Sequence, residues 1–170
     1  MNTPTLEQRP LPELDPDPRN TILAVMGLVM IIACSVWLAS VWDRFPEEVN
    51  THFGPSGRPD GTGSKYSIIV LPAMALVMWI TLGFLIRIPH KFNYAVRITP
   101  ENAQRQYELG VSMMSWMRLI VPAIMCYIAW AGLKTFIGET DALDPLVLVV
   151  IGLSMAAVIL SHIVLMLRAK

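Results

Sequence analysis

Charge is scarce in this chain of 170 residues. Only 15% of it is Asp, Glu, Lys or Arg, and 13 acidic residues cancel 13 basic ones. With no net positive field, and no Lys/Arg cluster interleaved with aromatic rings, nucleic acid is excluded as a partner. Cysteine is nearly absent as well. Cys34 and Cys126 both fall in apolar runs, where a thiol packs as a small hydrophobe, and neither sits in Cys-x-x-Cys spacing. Gly-x-Ser-x-Gly, His-Glu-x-x-His and the phosphate-binding glycine loop are missing too, which removes common hydrolase, metalloprotease and nucleotide-binding signatures. The expectation is a non-enzymatic protein with no cofactor.

Apolar residues are abundant instead, at 54% of the chain, with a mean hydropathy of +0.52. So few charges cannot cover that much apolar mass in water, and a lipid bilayer is the natural partner. Four segments, residues 21–42, 66–86, 119–137 and 145–167, are apolar throughout almost their whole length. At 1.5 Å per residue, a helix of about 20 residues crosses a hydrocarbon core of roughly 30 Å. The expected fold is all-α: a polytopic membrane protein with four transmembrane helices, a structured outer loop (43–65) between the first two, and an amphipathic helix before the third.

Local signals set the boundaries. Ser64 is placed to cap the second span, Pro72 to kink it, and Asp144 followed by Pro145 to open the fourth. Pro122 falls within the third span, and Lys134 lies near enough to its end to snorkel. Within the loop 87–118, Thr99 as N-cap, Pro100 at the first helical position and Glu101 in the first turn favour helix initiation. Ala103, Tyr107, Val111, Met114 and Met117 then recur at spacings of three and four, with Gln104, Arg105 and Glu108 off the stripe. Such a helix lies in the membrane interface or extends the next span. Residues 1–20, with prolines at 4, 10, 12, 16 and 18, read as a disordered tail, and 21–170 as a single membrane domain.

Orientation follows from the positive charges. Arg9, Arg19, Arg87, Lys91, Arg97, Arg105, Arg118, Arg168 and Lys170 fall on one side, against Arg44, Arg58, Lys65 and Lys134 on the other. The positive-inside rule then puts both termini and the loop 87–118 in the cytoplasm and the loop 43–65 outside the plasma membrane. That outer loop, FPEEVNTHFGPSGRPDGTGSK over residues 45–65, has an alternating VNTHF and the turn-like stretches GPSG and PDG. Turn geometry is the plainer reading of Gly54, Gly57, Pro59, Asp60 and Gly61. His52 with Asp60, and Asp43 or Glu47, falls short of the four ligands of a closed metal site, so no metal is expected. His52 is expected instead to hydrogen-bond within the loop, with a response to acidification as the alternative.

The same loop resembles the signature of an uncharacterised bacterial membrane domain found at the N-terminus of SdpI-type immunity proteins. His52, Phe53, Gly57, Pro59, Asp60, Gly61, Gly63, Ser64 and Lys65 match it, while Asn50 and Gly54 depart. A second segment, FNYAVRITPENAQRQYELG over residues 92–110, is also similar to members of that family. The resemblance implies a helical hairpin around the loop and protection against an extracellular toxin peptide, coupled to holding a repressor at the membrane. It points to His52, Phe53, Gly57, Pro59, Asp60, Gly61 and Lys65 as ligand-binding or loop-structuring residues. On the cytoplasmic side it points to Asn93, Tyr94, Thr99, Glu101, Asn102, Arg105 and Tyr107. Besides the bilayer, the partners implied are an extracellular peptide and a membrane or cytoplasmic protein; the alternative function is an accessory subunit of a larger membrane complex.

Overall fold

A computed structural model describes residues 9–170. It contains α1 (Pro18–Ser40), α2 (Val70–Leu85), α3 (Ala103–Phe136) and α4 (Pro145–Arg168), joined between α1 and α2 by the antiparallel strands β1 (Glu48–Phe53) and β2 (Pro59–Ser64). All four helices are long and apolar enough to cross a membrane, α2 together with the 3-10 helix Lys65–Ile69 that leads into it. The chain is a multi-pass integral membrane protein. Successive helices run in opposite directions, so the strands and the α3–α4 connection share one end of the bundle, the hairpin end. The α2–α3 connection and the chain termini share the other, the tail end.

The helix starts follow their capping residues. The Asp17 carboxylate accepts from Arg19 N at 2.8 Å, and Pro18 occupies the first turn, so α1 begins at Pro18 rather than at residue 21, where the uncharged run starts. Asp144 accepts from Leu146 N at 2.9 Å with Pro145 behind it, as the fourth span's sequence predicts. Ser64 caps the 3-10 helix, accepting from Tyr66 N. Pro72 therefore sits in the first turn of α2, where its missing N–H leaves no gap in the ladder.

The amphipathic stretch proves to be the beginning of the third span. Ala103–Phe136 is one helix of 34 residues, well over the roughly 20 a bilayer core requires, and its first turns lie level with the end of α4, where Gln106 meets Met166 and Ala169. This long helix is also the one against which α1, α2 and α4 all pack. Gly27 makes the closest approach possible: a Cβ there would lie 2.2 Å from the carbonyl oxygen of Arg118. By contrast, α4 leans almost solely on α3, and its most apolar window is only 6% buried.

The uncovered faces are apolar. Ile22, Val29 and Val36 of α1, Val77 and Phe84 of α2, and Leu146, Leu153 and Leu160 of α4 all point outward. In water that surface would drive aggregation; in lipid it is the solvated face. Hydroxyls on these helices are satisfied within their own turns, Ser35 by Ile31 O and Ser154 by Val150 O, each at 2.8 Å. At the hairpin end Trp42 and Tyr66 pack ring to ring at 5.7 Å, and the Lys134 ammonium lies 4.2 Å above the Trp130 ring. These are the aromatic and snorkelling positions of a membrane interface.

Candidate functional site

The hairpin is built first from apolar anchors. Phe45 and Val49 are buried against Leu38, Ile68 and Leu133, with Trp37, Trp42 and Phe136 around them. β1 starts with Glu48 exposed and Val49 buried, but the alternation expected of VNTHF breaks at the irregularity after Asn50, so that Thr51 and His52 are both exposed and Phe53 is half-buried. Pairing runs from Glu48 opposite Ser64 to Phe53 opposite Pro59, with irregularities on either side of His52. The sequence PDG, expected as a turn, lies inside β2. The actual turn is Gly54–Gly57, where Gly57 N donates to Gly54 O at 2.9 Å and Gly57 takes φ +75°.

Glycine serves different purposes along this hairpin. Gly61 and Gly63 allow close cross-strand packing, since added Cβ atoms would come within 3.2 Å of His52 Cβ and 3.0 Å of Thr51 Cγ2. Gly57 is needed twice over. Besides its positive φ, its carbonyl accepts from Leu143 N at 2.9 Å, and a Cβ would meet Leu143 O at 2.4 Å. The hairpin tip is thereby fastened by backbone to the α3–α4 connection.

Polar side chains lock the hairpin's outer surface. His52 Nδ1 is hydrogen-bonded to the Asp60 carboxylate, and both are exposed. Thr62 donates to Glu48 at 2.7 Å, and Lys65 pairs with Glu47 at 2.6 Å while lying 5.6 Å above the Trp42 ring. Among the described residues, no group of three or more His, Cys, Asp or Glu side chains is close enough to hold a metal ion. The arrangement presents a shaped surface with fixed charges.

Beneath that surface lies a cleft of about 290 Å³. Asn50, Thr51 and Phe53 of β1 form one wall, and Leu71 of α2 with Ile128 and Gly132 of α3 form the apolar floor. A two-stranded sheet leaves one edge of β1 without a ladder partner, and among the described residues no backbone bond from another element covers it. Of the site residues expected from the sequence, only Phe53 lines this cleft. Asn50 and Thr51 are not among those expected, and the alternation of VNTHF is the signal that places them on a strand. A larger groove of about 560 Å³ between α1 and α2 is walled by apolar side chains and by Ser35, whose hydroxyl is already bonded.

The second set of expected residues gathers at the tail end, the length of the bundle away. Tyr94, Tyr107, Ile98, Ala103 and Leu14 pack together. Asn102 Oδ1 accepts from Thr99 N at 2.9 Å, and its Nδ2 donates to Arg97 O at 3.0 Å, so Asn102 rather than Thr99 ties the turn that leads into α3. The Thr99 side chain hydrogen-bonds Glu101 and holds its carboxyl below the usual range. Arg105 pairs with Glu108 at 3.1 Å on the exposed face, and Asn93 is exposed beside Gly110.

Residues 9–17, expected to be disordered, form neither helix nor strand but are tied down along this face. Tyr107 donates to Pro10 O at 3.0 Å and Gln104 to Glu13 O at 2.9 Å. Arg9 donates to His90 O at 3.1 Å and to Phe92 O at 2.7 Å. Residues 1–8 of the expected tail lie outside the described residues. Gln106, which no sequence pattern singles out, is fully buried and donates to Met166 O at 2.9 Å and Ala169 O at 2.8 Å, closing the last turn of α4. His162 is buried between α4 and α3, within 3.2 Å of Ser112 Oγ.

Compared with known proteins, residues 28–76 match a domain of unknown function, DUF1648. That region is the second half of α1, the hairpin and the start of α2. A protein of Archaeoglobus fulgidus described as uncharacterized is 36% identical over 64 residues, covering 36% of this chain and 35% of the relative. The chain thus matches about a third of that relative's length. No solved structure matches. The DUF1648 match covers the hairpin and the adjoining parts of the helices on either side of it.

Proposed function

We propose that this protein is a non-enzymatic receptor of the plasma membrane whose hairpin faces outward and recognises an extracellular peptide, with both termini and residues 87–118 in the cytoplasm. The observation that carries the reading is the cleft of about 290 Å³ beside the unpaired edge of β1. An extended peptide can add a strand to such an edge, its main chain supplying affinity and its side chains reading the neighbouring pocket. Asn50 and Thr51 offer polar contacts at the mouth, and the floor of α2 and α3 accepts an apolar side chain. A membrane-active toxin fits this description, because the cleft opens where an apolar peptide would meet the bilayer. His52, Asp60, Glu47 and Lys65 then set the charge pattern of the recognition surface, and the tail-end segment transmits to or anchors a cytoplasmic protein.

Cells lacking the protein, challenged with membrane-active peptides, should be sensitised, and Phe53→Ala should fail to restore protection while still reaching the membrane. Unchanged sensitivity of the deletion, with no peptide binding to the purified protein, overturns the reading. Its topology is checked separately: in a chain with Cys34 and Cys126 replaced, Ser56→Cys should react with an impermeant reagent on intact cells and Lys91→Cys, exposed at the tail end, should not until the cells are permeabilised. A second reading, an accessory subunit of a membrane complex, draws on the sparse burial of α4, whose apolar face a partner helix could cover. A stoichiometric partner retained through mild-detergent purification would favour it.

A further inference from the structure

Two arginines converge at the tail end of α2 with no carboxylate to meet them. Arg118, on α3, has its guanidinium carbon 3.9 Å from the centre of the Trp79 ring and donates from Nε to Trp79 O at 3.2 Å. It fits there because Gly83 has no side chain: a Cβ at that position would sit 3.0 Å from an Arg118 terminal nitrogen. Trp79 is itself fixed, donating to Ala24 O of α1 at 2.9 Å. The sequence reads Arg118 as part of a polar loop, yet it is held at the junction of three helices about a turn and a half from the end of α2.

Arg87, just beyond that end, borders the same cleft of about 410 Å³. Among the described residues neither guanidinium forms an ion pair. Each instead lies over an aromatic ring, Arg87 at 5.7 Å from that of Phe84. Their like charges repel across the cleft, so an anion between them is favoured. The remaining wall is Ile80 and Phe84, both exposed on the lipid-facing side of α2. A charged head enclosed by arginines and continuous with an apolar outer face matches a phosphate that carries acyl chains better than one free in water.

We propose that the cleft between Arg87 and Arg118 binds the phosphate of an anionic phospholipid in the leaflet at the tail end. Two planar guanidinium forks suit phosphate oxygens, and Gly83 keeps the approach open. The inference stands apart from the peptide-recognition reading and from the direction in which the protein is inserted.

Native mass spectrometry of the full-length protein released from detergent, titrated with phosphatidylglycerol, phosphatidylcholine or inorganic phosphate, tests it. Phosphatidylglycerol should be retained with clear preference over phosphatidylcholine. Arg87→Gln, an exposed site with little role in packing, should weaken retention about fivefold, and Arg87→Gln with Arg118→Gln should abolish the preference. Equal retention of the two lipids, or undiminished preference in Arg87→Gln, would overturn the proposal. So would displacement of the lipid by millimolar inorganic phosphate, which would mark the site as one for a soluble anion. Should Arg118→Gln fail to fold, Arg87→Gln alone still decides the outcome.

Discussion

The two ends of this bundle are held by different kinds of bond. At the hairpin end, backbone conformation dominates: Gly57 turns the chain, Gly61 and Gly63 admit the facing strand, and Gly57 O is bonded to Leu143 N. At the tail end, side chains reach across long stretches of sequence to backbone carbonyls, Tyr107 to Pro10, Gln104 to Glu13 and Gln106 to Met166 and Ala169. The hairpin end therefore carries its instructions in one short segment. The tail end is an assembly of distant pieces, sensitive to single donors. A surface of the first kind keeps its shape while its exposed side chains vary, whereas one of the second kind can loosen one strap at a time.

The sharpest test of that contrast pits two glycines against each other. Gly57 and Gly138 both have positive φ, +75° and +74°, but only Gly57 abuts another backbone; Gly138 has nothing within 4 Å of a built Cβ. Gly57→Ala should destabilise the protein by about 3 kcal/mol, combining left-handed strain with a clash that backbone atoms cannot relieve. Gly138→Ala should lose about 1 kcal/mol from strain alone. Thermal unfolding in detergent measures both. Equal effects would mean that docking onto Leu143 contributes nothing.

The glycines also mark how far local sequence chemistry reaches. The spans are legible because bilayer thickness and the absence of water leave few options, and Asp144-Pro145 marks its helix start by local chemistry alone. The turn at Gly54–Gly57 is legible for the same reason. PDG misleads because a glycine that permits close strand contact and one that permits positive φ are the same letter. Distance along the chain hides the rest: the cleft joins Asn50 to Ile128 and Gly132, and Arg118 meets Trp79 across two helices. The prolines of residues 9–17 do exclude regular structure, but nothing local to them announces that Tyr107 and Gln104 bind their carbonyls.

Gln106 offers an intermediate effect at the tail end. Its amide is the donor for two carbonyls at the end of α4, and α4 packs on little besides α3. Gln106→Ala should lose roughly 2 kcal/mol, and Gln106→Glu, nearly identical in shape, should do at least as badly because it places carboxylate oxygens against carbonyl oxygens. Amide hydrogen exchange over residues 165–169 should accelerate in both, with the hairpin unchanged. Accelerated exchange spreading to residues 48–64 would show that the two ends are not independent.

The smallest effect is a pH dependence at the tail end. Burial, the neighbouring Tyr107 and, in the opposite sense, the Arg9 guanidinium act on the Tyr94 phenol, and the net result holds it well above its ordinary value of 10.0. The folded chain keeps a proton that the unfolded chain begins to release near pH 10, so stability is level below that pH and declines as pH rises further. Proteolytic cleavage within residues 9–17 should therefore increase between about pH 10 and 11. Tyr94→Phe forfeits the bond to Pro89 O at 3.0 Å, about 1 kcal/mol at neutral pH, yet should reduce the alkaline decline. An alkaline decline of full size in Tyr94→Phe would assign it to other groups and leave the Tyr94 bond to Pro89 O as a strap of the tail end that does not report on pH.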